Sequence, residues 1–256
     1  PQLREAIARF YRERFGAKDP RSWRFKFHGQ TSGVDLTRQQ PLNNVVRVAI
    51  QSMAAVLGGT QSLHTNGFDE ALSLPTEDAA RIALRTQQII GYESGITDTP
   101  DPLAGSYYVE SLTDEVERLA WEYIERIDAM GGAVNGIEAG FQMDEIDEAA
   151  YSYTKSIDDD ERVIVGVNKF TVDGEAEPNV FPIDPTLAVG QLARLKAFKA
   201  NRDQAKVQEL LEAVRTAARG TENLLYPMKE ALRAHATLGE VSDALRDVFG
   251  TYQPGR

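Results

Sequence analysis

The 256-residue chain is 42% hydrophobic and 26% charged, with a formal net charge of -11. Nucleic acids and anionic membranes both bind basic surfaces, so this charge argues against either as the main partner. The sequence has no cysteine, which excludes disulfides, thiolate catalysis and cysteine-ligated metals. No apolar run approaches the roughly 20 residues of a membrane helix, and no signal peptide opens the chain, so we expect no membrane association and a cytoplasmic location.

The first hundred residues alternate between predicted helices and short extended segments. An amphipathic helix opens the chain over 3–11, and the aromatic alternation at 23–27 predicts a strand. An apolar helix follows over 42–57, and we expect it to be covered on nearly all sides. A second strand is predicted over 60–64, and Thr76 is placed to cap a third helix. This succession is typical of βα units in a barrel or in an open doubly wound sheet.

The remainder of the chain reads as largely helical. Thr113 is predicted to cap a long helix that ends at Gly131, and 163–165 is a late strand candidate. Asp184 followed by Pro185 indicates another helix start, and charged helices continue to residue 249. We therefore expect two regions, residues 1–110 with the strands and residues 111–256 with helices.

Two polar loops are the best candidates for chemistry. One runs from His28 to Gly33, and the other from Gln61 to Asn66 with Asp69 and Glu70 behind it. Parallel barrels carry their sites just past the carboxyl ends of strands, which is where we expect these loops. Amide, hydroxyl and imidazole groups suit a large amide-rich ligand more than hydrolysis. A purely structural role for paired polar residues explains the same pattern, and the residues alone leave both interpretations open.

Other chemistries have less support in the sequence. It contains no phosphate-binding glycine loop and no nucleophile elbow. His28 and His64 lack metal-ligand spacing, so we expect no metal site, and His235 lies among alanines as a structural residue would. Arg21 belongs to a basic group beside the first strand, where a solvated strand edge is the default explanation and a phosphate contact is the alternative.

Several long or uncommon strings stand together in the sequence. They are HGQTSGVDLTRQQPLNN at 28–44, GGTQSLHTN at 58–66, DEAL at 69–72, DPLAGSYYV at 101–109, MGG at 130–132, VGVNKF at 165–170 and GEVSDAL at 239–245. Together they span nearly the whole chain and resemble the C-terminal half of the large subunit of the methylmalonyl-CoA mutases. That family belongs to the adenosylcobalamin-dependent acyl-CoA mutases.

The resemblance implies a TIM (β/α)8 barrel that binds acyl-CoA along its axis beneath a cobalamin domain. This chain would supply the C-terminal part of the barrel, followed by an α-helical extension wrapping it. The implied partners are the N-terminal half of the barrel, a separate cobalamin-binding small subunit or domain, and further copies in an oligomer. The implied reaction is a radical carbon-skeleton rearrangement of the methylmalonyl-CoA/succinyl-CoA type, with adenosylcobalamin supplying the radical chemistry.

The resemblance also implies roles for particular residues. His28, Gln30 and Gly33 would lie against the corrin and adenosyl groups. Glu70 would reach the cofactor, with Ser73 close behind it.

The substrate contacts implied by the resemblance are fewer. Gln61 would face the pantetheine part of acyl-CoA, and Arg21 would meet a CoA phosphate. In the family, the tyrosine, arginine and histidine that catalyse the reaction belong to the half of the barrel that is not in this sequence. The Asp-x-His-x-x-Gly motif of the cobalamin domain is also missing from this sequence. We therefore assign no catalytic residue and expect this segment to be inactive alone.

Alternative functions remain at this point. The segment could belong to an isobutyryl-, ethylmalonyl- or 2-hydroxyisobutyryl-CoA mutase, or to a non-catalytic remnant that binds CoA or cobalamin. An unrelated α/β enzyme with a polar strand-end site is a third possibility, and it would show no affinity for cobalamin.

Overall fold

The computed structural model describes residues 2–174 and 180–253, and their side chains from Ile7 onward. These residues divide into two compact units between Phe181 and Pro182. The first unit contains α1 (Gln2–Phe15), β1 (His28–Gln30), α2 (Asn43–Leu57), β2 (Ser62–His64), α3 (Glu77–Glu93), α4 (Tyr107–Ala129), α5 (Ala133–Glu138) and α6 (Phe141–Asp158). The second contains α7 (Pro185–Ala200), α8 (Gln204–Ala218), α9 (Leu225–Arg233) and α10 (Leu238–Phe249). The chain is mostly helical with a small parallel sheet, which confirms the α/β class. The predicted boundary at residue 110 separates a barrel part from a helical wrapping region, which is a different division from these two compact units, and it stays a prediction.

The two strands form the centre of the first unit. They pair in parallel, with His28 opposite Ser62 and Gln30 opposite His64. A parallel pair needs a crossover connection, and α2 supplies it. Helix α3 follows β2 and packs against α2.

The first strand begins at His28, later than the aromatic alternation at 23–27 predicts. Pro20–Trp23 instead forms a short 3-10 helix that begins after the capping side chain of Asp19. The rings of Phe25 and Phe27 stack with centroids 5.1 Å apart, as side chains two residues apart on extended backbone do. The alternation therefore marks extended backbone, whereas hydrogen bonding between strands starts only at His28, where β2 lies beside the chain.

Helix α2 is covered on one side only, so the prediction of a helix covered almost all round is wrong for this structure. Asn44, Val48 and Ser52 are buried at the spacing of one helix face. On the opposite side Val46 is 60% exposed and Ile50 is 59% exposed. Among the described residues of the first unit, no element covers that apolar side.

Helix α3 follows its prediction closely. The Thr76 hydroxyl accepts a hydrogen bond from the Ala79 amide at 3.3 Å, which confirms the predicted cap. The buried residues are Ala79, Ala83, Thr86 and Ile90. Ile82 and Ile89, at the border of this stripe, are exposed.

Two later predictions need correction. Helix α4 begins at Tyr107, and Thr113 lies inside it, with its hydroxyl donating to the Val109 carbonyl at 2.7 Å. A hydroxyl that bonds back to its own helix gives the same sequence pattern as a cap. The strand candidate at 163–165 is reduced to one isolated bridge between Val165 and Lys169.

In the second unit, an apolar core lies between α8, α9 and α10. Its buried residues are Val207, Leu211, Val214, Ala231, Ala236, Val241 and Ala244. Helix α7 begins as predicted, because the Asp184 carboxylate accepts a hydrogen bond from the Thr186 amide beside Pro185. Across the part of the chain that the structure describes, no helix combines the length and apolar character needed to cross a bilayer. The cytoplasmic location stays a prediction.

Candidate functional site

The two strands present a row of polar side chains on one face of the sheet. Successive residues of a strand point to opposite faces, and the register places His28 beside Ser62 and Gln30 beside His64. His28 Nδ1 lies 2.8 Å from Ser62 Oγ, so these two side chains are joined directly. All four residues are exposed. This face therefore offers imidazole, amide and hydroxyl groups to a ligand.

Asn66 joins the two polar loops at the carboxyl ends of the strands. Its Oδ1 accepts a hydrogen bond from Gln30 Nε2 at 2.9 Å, and its Nδ2 donates to the Thr31 carbonyl at 3.1 Å. Its backbone amide donates to Thr31 Oγ1 at 2.9 Å. Asn66 is 1% exposed and Thr31 is 5% exposed. The orientation of Gln30 is thus set from the neighbouring loop.

Gly33 and Glu70 lie beside Asn66. A Cβ atom on Gly33 would stand 3.2 Å from Asn66 Nδ2 and 3.7 Å from Glu70 Oε1. Because the first distance is tighter than an ordinary contact, glycine keeps space open there. Glu70 itself is exposed. The structure therefore brings together three of the predicted cofactor residues, Gln30, Gly33 and Glu70.

Asp69 folds the chain between β2 and α3 into a compact turn. Its Oδ2 accepts hydrogen bonds from the Thr76 amide at 2.8 Å and the Thr76 hydroxyl at 2.9 Å. Its Oδ1 is buried and has no partner among the described residues. Ser73 lies in this turn, donating to the Leu74 carbonyl at 2.9 Å and accepting from the Phe181 amide at 3.3 Å. The Ser73 hydroxyl is thus bonded to backbone on both sides.

Gln61 lies at the other end of the strands. It precedes β2, so the expectation that it follows the carboxyl end of a strand is wrong. Its Oε1 accepts a hydrogen bond from the Phe27 amide at 3.0 Å, and its Nε2 donates to the Gly59 carbonyl at 2.7 Å. Gln61 therefore marks the amino end of the sheet, and Gln30 and Asn66 mark the carboxyl end.

Arg21 lies on the 3-10 helix before β1 and is exposed. Its guanidinium forms an ion pair with Asp19 at 2.8 Å. The hydrogen bonds between these side chains lower the pKa of Asp19 and raise the pKa of Arg21. An anion at this position would compete with the Asp19 carboxylate for the guanidinium.

Two small cavities flank β2. One of about 160 Å³ is lined at the amino end by Gln61 and Ser62, and one of about 250 Å³ is lined by His64 and Glu70. Gln87 of α3 lines both, and its Nε2 donates to the Leu63 carbonyl at 3.2 Å and to Thr65 Oγ1 at 3.0 Å. A larger apolar cavity of about 570 Å³ lies between α1 and α4, with Phe25 also in its wall. The polar groups place the candidate site at the strands.

Sequence reasoning missed the residues that hold the site together. Asn66, Thr31 and Asn44 were read only as members of motifs, although all three are buried and hydrogen-bonded. The available signal was a set of amide and hydroxyl side chains next to strand ends, where backbone groups need partners. The described residues contain no group of three or more acidic or histidine side chains arranged to hold a metal ion.

The fold and the candidate site are those of an α/β protein whose polar side chains cluster at the carboxyl ends of parallel strands. Comparison with known proteins narrows this class. The family model described as methylmalonyl-CoA mutase matches residues 3–251. The chain belongs to the methylmalonyl-CoA mutase family.

Individual relatives agree with this assignment. The chain is 51% identical over 239 residues to the methylmalonyl-CoA mutase of Escherichia coli K12, covering 93% of this chain and 34% of the relative. It is 43% identical over 253 residues to the 2-hydroxyisobutanoyl-CoA mutase large subunit of Aquincola tertiaricarbonis, covering 98% of this chain and 45% of the relative. The human mitochondrial methylmalonyl-CoA mutase is 45% identical over 252 residues, covering 98% of this chain and 34% of the relative. The chain thus spans between a third and a half of these relatives' length.

Proposed function

We propose that this chain is part of the substrate-binding subunit of an adenosylcobalamin-dependent acyl-CoA mutase. The reaction is a carbon-skeleton rearrangement of the methylmalonyl-CoA/succinyl-CoA type. The observation that carries the proposal is the gathering of Gln30, Gly33 and Glu70 around Asn66 at the carboxyl ends of two parallel strands. Family membership supports it, because relatives with 51% and 43% identity are named as acyl-CoA mutases.

The barrel is part of this proposal. We take β1 and β2 as neighbouring strands of a (β/α)8 barrel, with residues 1–110 as its C-terminal part and 111–256 as the helical region wrapping it. Parallel pairing through a crossover helix and polar groups at the carboxyl ends support this arrangement. The N-terminal half of the barrel would complete the sheet and would carry the residues that react with substrate.

The residues at the carboxyl end fit a corrin cofactor with an adenosyl group. The absence of a Cβ at Gly33 leaves room above Asn66, and Gln30 and Glu70 are exposed beside that space. An amide and a carboxylate are suitable partners for corrin amides and ribose hydroxyls. When bound, adenosylcobalamin supplies the radical chemistry, and the task of these residues is to hold and orient it while excluding water. His28 and Ser73 complete the proposed cofactor set.

The acyl-CoA would lie along the barrel axis and pass the amino end of the strands. Gln61 stands at that end, and Ser62 places a hydroxyl on the same face as His28. Arg21 is the proposed phosphate contact, and CoA would replace Asp19 as its partner. This order puts the substrate tail at the amino end of the two strands and Gln30, Gly33 and Glu70 of the cofactor set at the carboxyl end, with His28 of the same set at the amino end of β1.

The remaining parts of the proposal concern the assembly. A relative named as a large subunit supports a separate small subunit or domain that binds cobalamin, and we propose an oligomer of such units. The acyl group is of the methylmalonyl, isobutyryl, ethylmalonyl or 2-hydroxyisobutyryl type. We place the protein in the cytoplasm.

The direct test is an activity and binding assay of the subunit at its natural length, with adenosylcobalamin and the cobalamin-binding chain. We expect isomerisation of one of the four acyl-CoA esters named above and spectral evidence of bound cofactor. Binding of cobalamin without turnover would instead indicate a non-catalytic remnant. Absence of both turnover and cobalamin binding would overturn the proposed function, although membership of the family would stand.

The site itself is tested by Glu70→Gln. Because Glu70 is exposed, the change should leave folding intact while weakening cofactor binding by about tenfold, the loss of one charge-assisted hydrogen bond. Glu93→Gln, an exposed glutamate at the end of α3, is the matched control and should leave the affinity unchanged. Equal affinities for Glu70→Gln and wild type in a spectroscopic titration would remove Glu70 from the cofactor site.

A further inference from the structure

Asn44, the second residue of α2, has the most completely bonded buried side chain of the strand region. It is 0% exposed. Its Nδ2 donates to the Thr37 carbonyl at 2.9 Å and the Phe68 carbonyl at 2.8 Å. Its Oδ1 accepts from the Thr37 amide at 3.1 Å and from Arg47 Nη1 at 2.7 Å. A carboxamide has two donors and two acceptor positions, so all of its capacity is used.

These bonds connect the two loops that carry the proposed cofactor contacts. Thr37 belongs to the loop after β1, which begins beside Gln30 and includes Gly33. Phe68 belongs to the loop after β2, two positions before Glu70. Asn66 joins the same loops close to the strands, and Asn44 joins them farther along. Two separate cross-links fix the relative position of two loops better than one, because a single link leaves rotation about it.

Arg47 extends this junction to the segment after α6. Its Nη1 also donates to Thr37 Oγ1 at 2.9 Å, and its Nη2 donates to the Val165 carbonyl at 2.7 Å. Beside it, Gln40 Nε2 donates to the Phe170 carbonyl at 2.8 Å. The 163–170 segment therefore rests on the same junction within the first unit.

We propose that Asn44 is a positioning residue for the cofactor site, which sets the spacing between the loop of Gly33 and the loop of Glu70. Arg47 holds the Asn44 carboxamide in orientation and couples it to the 163–170 segment. The consequence for the cofactor rests on the proposed function, whereas the coupling of the two loops rests on the contacts alone.

Two substitutions separate positioning from folding. Asn44→Asp keeps an oxygen that accepts from the Thr37 amide and from Arg47, but its second oxygen cannot donate to the Thr37 and Phe68 carbonyls, so the loop of Phe68 loses its only bond to this side chain. Asn44→Ala removes all four bonds. The control is Asn43→Ala, because the neighbouring Asn43 is half-buried and its described side-chain hydrogen bond, to Gln40 Oε1 at 2.9 Å, does not reach the loop of Phe68.

The first measurement is hydrogen–deuterium exchange in the subunit at its natural length. For Asn44→Asp we expect amides in 65–76 to exchange on the order of tenfold faster, and for Asn44→Ala those in 31–42 as well. Exchange in α8–α10 should not change, and Asn43→Ala should resemble wild type in 65–76. Unchanged exchange in 65–76 for both Asn44 variants, or equal acceleration everywhere, would overturn the proposal.

The second measurement is the affinity of the same proteins for each ligand. Loosened loops should raise the Kd for adenosylcobalamin by about tenfold and lower kcat/KM by about 100-fold. The Kd for acyl-CoA, whose proposed contacts lie at the amino end, should stay within twofold of wild type. An equal loss for both ligands would contradict positioning of the cofactor. If wild type binds no cobalamin, the proposed function fails, and the exchange measurement alone decides whether Asn44 couples the loops.

Discussion

The strand region (residues 28–93) and the α8–α10 bundle differ in what they bury, because among the described residues the strand region buries polar side chains beside apolar ones. Buried polar residues of the strand region include Thr31, Asn44, Ser52, Thr65, Asn66, Asp69 and Thr86. The core of the bundle is built from valine, leucine and alanine. Buried polar groups are held in place by directed hydrogen bonds, whereas an apolar core is stabilised by close packing and by the apolar surface removed from water. The first suits a region that must orient ligand contacts, and the second suits a region that only has to be stable.

The bundle should be most sensitive to lost volume. Leu211 of α8 is 2% exposed at the centre of the core, so Leu211→Ala should lower the free energy of unfolding by about 2–5 kcal/mol. Hydrogen–deuterium exchange and urea denaturation followed by circular dichroism would measure this loss. Leu225→Ala is the control, because Leu225 is 69% exposed and its truncation should change stability by less than about 0.5 kcal/mol. If Leu211→Ala lowered the free energy of unfolding as little as Leu225→Ala does, this core would not be what stabilises the unit.

One charged contact joins the end of α7 to the bundle, and it predicts a pH dependence. The buried Arg202 guanidinium donates to both Glu240 oxygens at 2.7 and 2.6 Å, and Lys199 lies 3.2 Å away. These hydrogen bonds, from Arg202 above all, hold the pKa of Glu240 well below its usual range. Because the pKa of Glu240 is lower in the folded state than in the unfolded state, the ionised side chain stabilises the folded state at pH values above the unfolded pKa of about 4.3. This stabilisation is lost progressively as the pH falls below that value.

Glu240→Gln tests this contact. The substitution should cost about 1.5–3 kcal/mol at neutral pH and should flatten the loss of stability below about pH 4. Urea midpoints between pH 3 and 7 would show both effects. Asp243→Asn is the control, because Asp243 pairs with Arg246 on the exposed side of α10. Parallel pH profiles for wild type and Glu240→Gln would contradict the assignment.

The sequence predicted the two regions unequally, for a physical reason. Helical periodicity located α3, because its buried stripe repeats within one segment. The bundle helices were expected only as charged surface helices, and the buried stripe of α8 was not predicted. The exposed side of α2 was mistaken for buried, since periodicity reports apolar character and cannot report what lies opposite. The aromatic alternation marked extended chain but not where pairing begins at His28.

The site was recognised through motifs and not through its contacts. Gln30, Gly33 and Glu70 could be named from the family resemblance, and the structure brings them together. The cross-links made by Asn66 and Asn44 could not be predicted, because each bonds residues that are distant in sequence. Gln61 was expected beside Gln30, yet its position before β2 puts it at the other end of the strand.

Gly33 and Gly91 compare a crowded position beside the candidate site with an open position on the exposed side of α3. A methyl group on Gly33 would crowd Asn66 Nδ2 at 3.2 Å, so Gly33→Ala should destabilise by about 1 kcal/mol and weaken cofactor binding. Gly91 in α3 has open space around it, and Gly91→Ala should stabilise by about 0.5–1 kcal/mol through helix propensity. Thermal unfolding and cobalamin titration would measure both. A Gly33→Ala protein that binds cobalamin as wild type does would show that the space beside Asn66 is not used by the cofactor, and the site would then have to be sought along the His28 and Ser62 face.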